Sequence, residues 1–276
     1  MQVKCDKVSL SFAQHQGADG WEVTALAPSK SEPLAQFPKF SNLLLAQLPP
    51  EEMTALSPHL EHVDLPLGFL IASPGQIDYV YFLESGLGSI VAVSLEGHKV
   101  EAGMFGREGF APTPPAVGSD QSLFEVVIQA SGTGHRIAVS AFKELLTTCP
   151  VLDSRLRRSS HNLATQVAYT ALSNAIHHVD ERLARWLLMC HDRVSGDEIP
   201  ITHNYISLML AVRRPSVTTA LHVLEGNGFI RSNRKLITMR NRGAMEEFAR
   251  DAYGRPEKEY EQLFGLEQRA PVSLVR

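Results

Sequence analysis

The chain has 276 residues, 44% of them hydrophobic, with 26 Lys/Arg against 30 Asp/Glu and 3 cysteines. That length supports two modest domains with proper cores. No run reaches the roughly 18 apolar residues of a membrane span, and the amino-terminal stretch lacks the apolar core of a signal peptide. Cys5, Cys149 and Cys190 are too few and too scattered for a disulfide framework or a zinc site, so a reducing cytoplasm is the expected home.

Residues 1–40 are turn-rich, with Gly17, Gly20, Pro28, Pro33 and Pro38, and read as a poorly ordered extension. A short docking helix through Leu43, Leu44, Leu45 and Leu48 is expected after it, and then a helix from Pro49 to Leu60 with Met53, Leu56 and Leu60 on one face. From His62 to Val139 the pattern changes. Short apolar stretches at 69–72, 79–83, 89–93 and 124–128 are separated by turn signals such as Pro74-Gly75, Ser85-Gly86, Glu96-Gly97 and the pair Gly132 and Gly134. Such punctuation predicts an antiparallel β barrel or jelly roll over 41–148.

Ser140 is expected to cap a short helix through Phe142, Leu145 and Leu146, and Pro150 to open a much longer one reaching about Asn174. Leu156, Leu163 and Thr170 recur every seven residues, as do Ser160, Val167 and Asn174. A seam through Leu156, Leu163 and Val167 can pair two copies of this helix, so 149–178 is read as a dimerisation helix. An amphipathic segment from Glu181 to Arg193, with Leu183, Trp186, Leu187 and Cys190 on one face, leads into the last unit.

That unit, 179–250, carries the most informative stretch, ITHNYISLMLAVRRPSVTTALHVLEGNGFIRSNRKLITM from Ile201 to Met239. Thr202 can cap a helix bearing Ile206, Met209 and Leu210 on one face. A sharp turn near Ala211 and Val212 follows, where glycine is common. A second helix begins at Arg213 or Arg214, with Pro215 at a tolerated first-turn position. Val217, Leu221 and Leu224 form its buried stripe, which leaves Ser216, Thr218, Thr219 and His222 outward. Gly226 and Gly228 end it, and two short strands at 229–230 and 236–239 form a wing with Arg231, Arg234 and Lys235 at its tip. Residues 251–276 are read as a tail.

Helix, turn, helix and basic wing are how a protein sets a helix in the major groove of DNA. Charge agrees. Residues 201–245 hold seven Lys/Arg and one acid, Glu225, while 31–135 hold three Lys/Arg and twelve Asp/Glu. A basic end beside an acidic body is the footprint of phosphate-backbone binding. No nucleophile elbow, phosphate loop or full metal-ligand set is present, so no catalytic residue is assigned and an enzyme is not expected. The paired histidines His59/His62 and His177/His178 make half a metal site at best.

In order and spacing the chain resembles the Crp/Fnr superfamily of bacterial transcription regulators, an α+β architecture of cyclic-nucleotide-binding-like β barrel, long dimerisation helix and winged helix-turn-helix. The likeness covers residues 42 to about 250 and rests on YVYFLESG at 79–86, GREGF at 106–110 and the block beginning ITHNYIS. It implies a homodimer on double-stranded DNA, with RNA polymerase as a further partner and an unidentified small-molecule effector as a possibility. By position, Thr202, Asn204 and Ser216 match phosphate-gripping residues. Arg214 matches the arginine that reads guanine through two parallel N–H donors. Thr219 stands where the best-known members have a second base-reading arginine, and Pro215 where they have glutamate, so a different operator is implied. Thr218 and Thr219 join Arg214 as expected base readers, and Arg213, His222, Arg231, Arg234 and Lys235 join the backbone contacts.

Members that bind cyclic nucleotides hold the phosphate with a turn glutamate and an arginine about ten residues later. Arg107 and Glu108 are the candidate effector-pocket residues here. The segment from Ala111 to Val126 contains no Arg or Lys but does contain Asp120. A phosphate without its guanidinium loses charge-assisted bonds worth roughly 1.5–3 kcal/mol each. No cofactor is therefore expected, and a cyclic-nucleotide-responsive or other small-molecule-binding sensor is the alternative. An iron–sulfur role is disfavoured because Cys5 is the lone amino-terminal cysteine.

Overall fold

A computed structural model of the chain describes residues 39–233 and 235–265. The extension expected over 1–40 lies, apart from its last two residues, outside them, as do Arg234 and the side chain of Asn204. The chain enters through a turn, not the expected helix. Asn42 donates from Nδ2 to the carbonyls of Leu83 and Gly109, 3.0 Å each, while its Oδ1 accepts from the Leu44 amide, and Leu44 and Leu45 are buried. Helix α1 (Pro50–Leu56) follows, with proline in the first turn where no amide partner is lost.

Nine strands come next: β1 (Glu61–Leu65), β2 (Leu70–Ala72), β3 (Gly75–Gln76), β4 (Tyr79–Leu83), β5 (Leu87–Val93), β6 (Lys99–Phe105), β7 (Gln121–Ser122), β8 (Phe124–Ala130) and β9 (Gly132–Ala138). They pair antiparallel as β1-β9-β4, β2-β8-β5-β6 and β3-β7. Leu65, Tyr81 and Leu83 of the first sheet and Ile90, Phe105, Val126 and Ile128 of the second share one buried cluster. Two antiparallel sheets closed over a single core make the expected roll. Gly132 and Gly134 are not the turn expected of them. They lie inside β9, and an added Cβ would come within 2.1 Å of the Ser85 carbonyl oxygen and 2.6 Å of that of Phe82. Glycine is there because another backbone runs beside it.

Helix α2 (Val139–Thr148) begins one residue before Ser140, whose side chain therefore does not cap it. Helix α3 (Pro150–Ile176) is long, as expected, and its amino terminus is capped from a distance. The buried Glu52 carboxylate accepts the Val151 and Leu152 amides at 2.8 Å each, two of the donors a helix start leaves over. The expected seam needs correcting. Leu156 is fully buried within the protomer, and Leu163 packs over β6, where a Cβ on Gly103 would lie 2.9 Å from it. Of the three, Val167 alone is substantially exposed, at 36%. Of the two seven-residue series, the one through Leu156 and Leu163 faces inward, and the one through Val167 and Asn174 is exposed.

After α3 come α4 (Val179–His191), β10 (Glu198–Ile199), α5 (His203–Met209), α6 (Arg214–Gly226), β11 (Ile230–Asn233), β12 (Leu236–Met239), α7 (Arg242–Ala249) and α8 (Arg255–Phe264). Glu181 accepts the His178 amide at 3.0 Å and secures the start of α4. The apolar faces of α4, α5 and α6 form one continuous core with Leu87, Val91, Met104 and Ala130 of the barrel. Helix α8, within the span read as a tail, returns to α3. Asn162 donates to the Pro256 carbonyl at 2.7 Å, Arg158 to that of Leu263 at 3.1 Å, and the buried Tyr260 hydroxyl to that of Glu108 at 3.4 Å. Among the described residues no helix is long and apolar enough to cross a membrane.

Candidate nucleic-acid interface

Thr202 starts α5 as its sequence context predicts, its Oγ1 accepting the Tyr205 amide at 3.3 Å. The turn between α5 and α6 is closed at Ala211, which holds φ +50°, the left-handed region that glycine usually fills. A Cβ there costs about 1–2 kcal/mol, and the apolar faces on either side hold the conformation. Ile206, Met209 and Leu210 of α5 and Val217, Ala220, Leu221 and Leu224 of α6 bury each other against α4. Arg213 stands in the extended conformation of an N-cap, and Pro215 falls in the first turn of α6. Gly226 is the last helical residue, and the left-handed stop is at Gly228, φ +74°.

The opposite face of α6 is open. Arg213, Arg214, Pro215, Thr218, Thr219 and His222 are exposed or nearly so, and Ser216 is half-buried at the edge. Strand β12 lies between β10 and β11, so the wing is a three-stranded sheet, and β10 has no counterpart in the sequence-based expectation. Arg231 and Lys235 are exposed on it, and Arg234 lies outside the described residues. Two contacts fix the wing to the helices. The Glu225 Oε1 accepts the Ser232 amide at 3.0 Å, and His203 Nε2 lies 3.3 Å from the Ser232 hydroxyl. Sequence reasoning missed both residues as wing supports, because neither is near Ser232 in a periodic pattern.

One basic residue of this region is structural. Arg242 reaches inward to Asp192 at 2.7 Å, Tyr253 at 2.7 Å and Glu246 at 2.6 Å. Burial raises the Asp192 carboxyl above the usual range, and the Arg242 charge opposes that rise.

Glu108, an expected effector-pocket residue, is engaged within the chain. Glu108 is 4% exposed, and both of its oxygens accept the Gly106 amide, at 3.1 and 3.0 Å. Oε1 is also paired with Arg193 Nε at 2.7 Å. Arg193 comes from the chain just after α4, so the GREGF turn receives a cation from the carboxy-terminal half. Beside it, between the turn and α3, the cavity is only about 20 Å³, lined by Met104, Phe105, Glu108, Ser159, Asn162 and Gln166 among others. Arg107 is half-buried, and its carbonyl accepts the Leu43 amide at 2.7 Å.

A second buried acid joins the halves. Glu101 accepts from Ser89, from Gln129 at 2.6 Å and from Trp186 Nε1 at 2.8 Å. Burial pushes its carboxyl up to about 7, against the Ser89 and Trp186 hydrogen bonds and the charges of Arg185 and Arg193.

Residues 181–248 match the Crp-like helix-turn-helix domain family. The fold is similar to that of the c-di-GMP-responsive global regulator CLP of Xanthomonas campestris, at 16% identity and a TM-score of 0.56, covering 69% of this chain and 98% of that one. A Crp/Fnr-family transcriptional regulator from Eubacterium rectale gives 18% identity and a TM-score of 0.57, covering 75% and 97%. A Crp/Fnr-family regulator from Thermus thermophilus gives 19% and 0.55, covering 68% and 98%. No curated protein matches the chain.

Proposed function

We propose that this chain, a Crp/Fnr-type transcription regulator with a Crp-like helix-turn-helix domain, works as a homodimer that lays α6 in the major groove of DNA and is not controlled by a cyclic nucleotide. The observation that carries this reading is the outward face of α6. A helix carrying Arg213 and Arg214 at its start, open to solvent and flanked by a basic wing, has the shape and charge for a groove between two phosphate rows. Arg214 reads a guanine edge, and Arg213, Ser216, Arg231 and Lys235 hold the backbone.

The dimer is supported by the side of α3 that its own barrel leaves bare. Ala164, Ala168, Ala171 and Ala175 recur at four, three and four residues and are exposed, flanked by Val167, Leu172 and Ile176. Small side chains at heptad spacing let two helices approach closely. A two-fold pair places the recognition helices about 34 Å apart on one face of the duplex. Nucleotide independence is supported by the absence of Lys and Arg from 111–126, by the engagement of Glu108 with Arg193, and by a cavity of about 20 Å³ where a small ligand needs roughly 300 Å³ or more. RNA polymerase as a partner and the cytoplasm as the site of action belong to the same reading.

Selection of bound fragments from a random duplex pool tests it, with and without cyclic nucleotides. The expected result is an enriched two-half-site sequence, unchanged by nucleotide, whose affinity falls steeply with salt. Sedimentation of the wild type and Ala168→Glu tests the dimer, with a shift to monomer expected for the variant. Absence of salt-sensitive binding to any duplex overturns the DNA reading.

A further inference from the structure

The groove-facing surface of α6 is less polar than its residue names suggest. Thr218 donates its hydroxyl back to the Arg214 carbonyl at 3.2 Å, and Thr219 donates to the Pro215 carbonyl at 3.1 Å. Such i−4 bonds are the local alternative open to a helical threonine. Each hydroxyl carries one proton, so neither can also donate to a purine N7, a guanine O6 or a thymine O4. With Oγ1 turned along the helix axis, the γ-methyl is the part of each side chain left to project. Pro215, Thr218 and Thr219 lie at i, i+3 and i+4 and are all exposed. They share one face, so the middle of that face offers a ring edge and two methyl groups.

Resting on the DNA reading above, we propose that Thr218 and Thr219 are specificity-determining residues that select thymine through its 5-methyl group, beside the guanine read by Arg214. The chemistry fits. Thymine alone among the four bases presents a methyl in the major groove, and threonine methyls pack on it. Two methyls on adjacent residues, with Pro215 beside them, favour neighbouring thymines over purine acceptors, which would be desolvated without a donor, and over cytosine, which has no methyl to pack on them.

Replacing thymine by uracil deletes only that methyl. The test takes the duplex that the wild type selects from a random pool and substitutes uracil at each thymine of the half-site in turn. Affinity is expected to fall about fourfold at the contacted positions, the scale of one buried methyl group. Thr218→Val and Thr219→Val keep the methyl and lose the hydroxyl, and should still distinguish thymine from uracil. Thr218→Ser and Thr219→Ser keep the hydroxyl and lose the methyl, and should not. Equal wild-type affinity for thymine and uracil duplexes overturns the proposal, as does discrimination that survives in the serine variants and vanishes in the valine variants. A wild type that binds no duplex in a salt-sensitive way refutes the DNA reading itself, a separate outcome.

Discussion

The turn at 106–109 and the start of α6 both set arginine beside a tight bend, and the molecule treats them in opposite ways. At the turn, Glu108 is buried and engaged by Arg193 and a backbone amide. At α6, Arg213 and Arg214 face solvent. A buried ion pair holds two parts of one chain together, whereas an exposed cation keeps its charge for something outside the chain. The turn at 106–109 is engaged internally, and the open cations are at the start of α6.

The contrast breaks most visibly at the buried pair. Arg193→Met leaves the Glu108 carboxylate without its cation and should cost about 3–5 kcal/mol in urea unfolding, whereas Glu108→Met with Arg193→Met should recover most of the loss. Glu101 sharpens it by pH. Its carboxyl is raised from 4.5 to about 7 by burial, so the folded state binds the proton more tightly than the unfolded chain does. The stability this adds is full below about 4.5 and is lost as pH rises through about 7. The span is about 3 kcal/mol at most, and Glu101→Gln should flatten that slope in thermal melts between pH 5 and 8. At the exposed end, Arg214→Ala should leave the melting temperature unchanged, cost about 1–3 kcal/mol in DNA binding and relax selection at one base position. Equal weakening on all sequences would reassign Arg214 to the backbone. Smallest of all, Glu225→Ala frees the wing at Ser232 and should weaken DNA binding by about 1 kcal/mol.

The parts governed by local chemistry were legible in the sequence. The period of Val217, Leu221 and Leu224, the proline in the first turn and the glycines at and beyond its end define α6 without any tertiary contact. Strands β2, β4, β5 and β8 stand out as apolar runs. Strands β1, β6 and β9 do not, because β9 carries glycine where backbones meet and β1 alternates charged with apolar residues. A heptad identifies a helix face without saying what covers it. Leu156 is buried and Leu163 packs on the barrel, and the blander alanines are left outside. Contacts such as Arg193 with Glu108 and Glu52 with the start of α3 join residues 85 and 99 or 100 positions apart, beyond the reach of any local pattern.

The helix-turn-helix half is attached to α3 twice. The chain leaves α3 at His177, and α8 brings it back to the same helix at Asn162, about four turns earlier. With the core of α4, α5 and α6 also continuous with Leu87, Val91, Met104 and Ala130 of the barrel, that half is held at several points rather than hung on a single hinge, and a displacement of α3 would be carried to α6 through packed side chains.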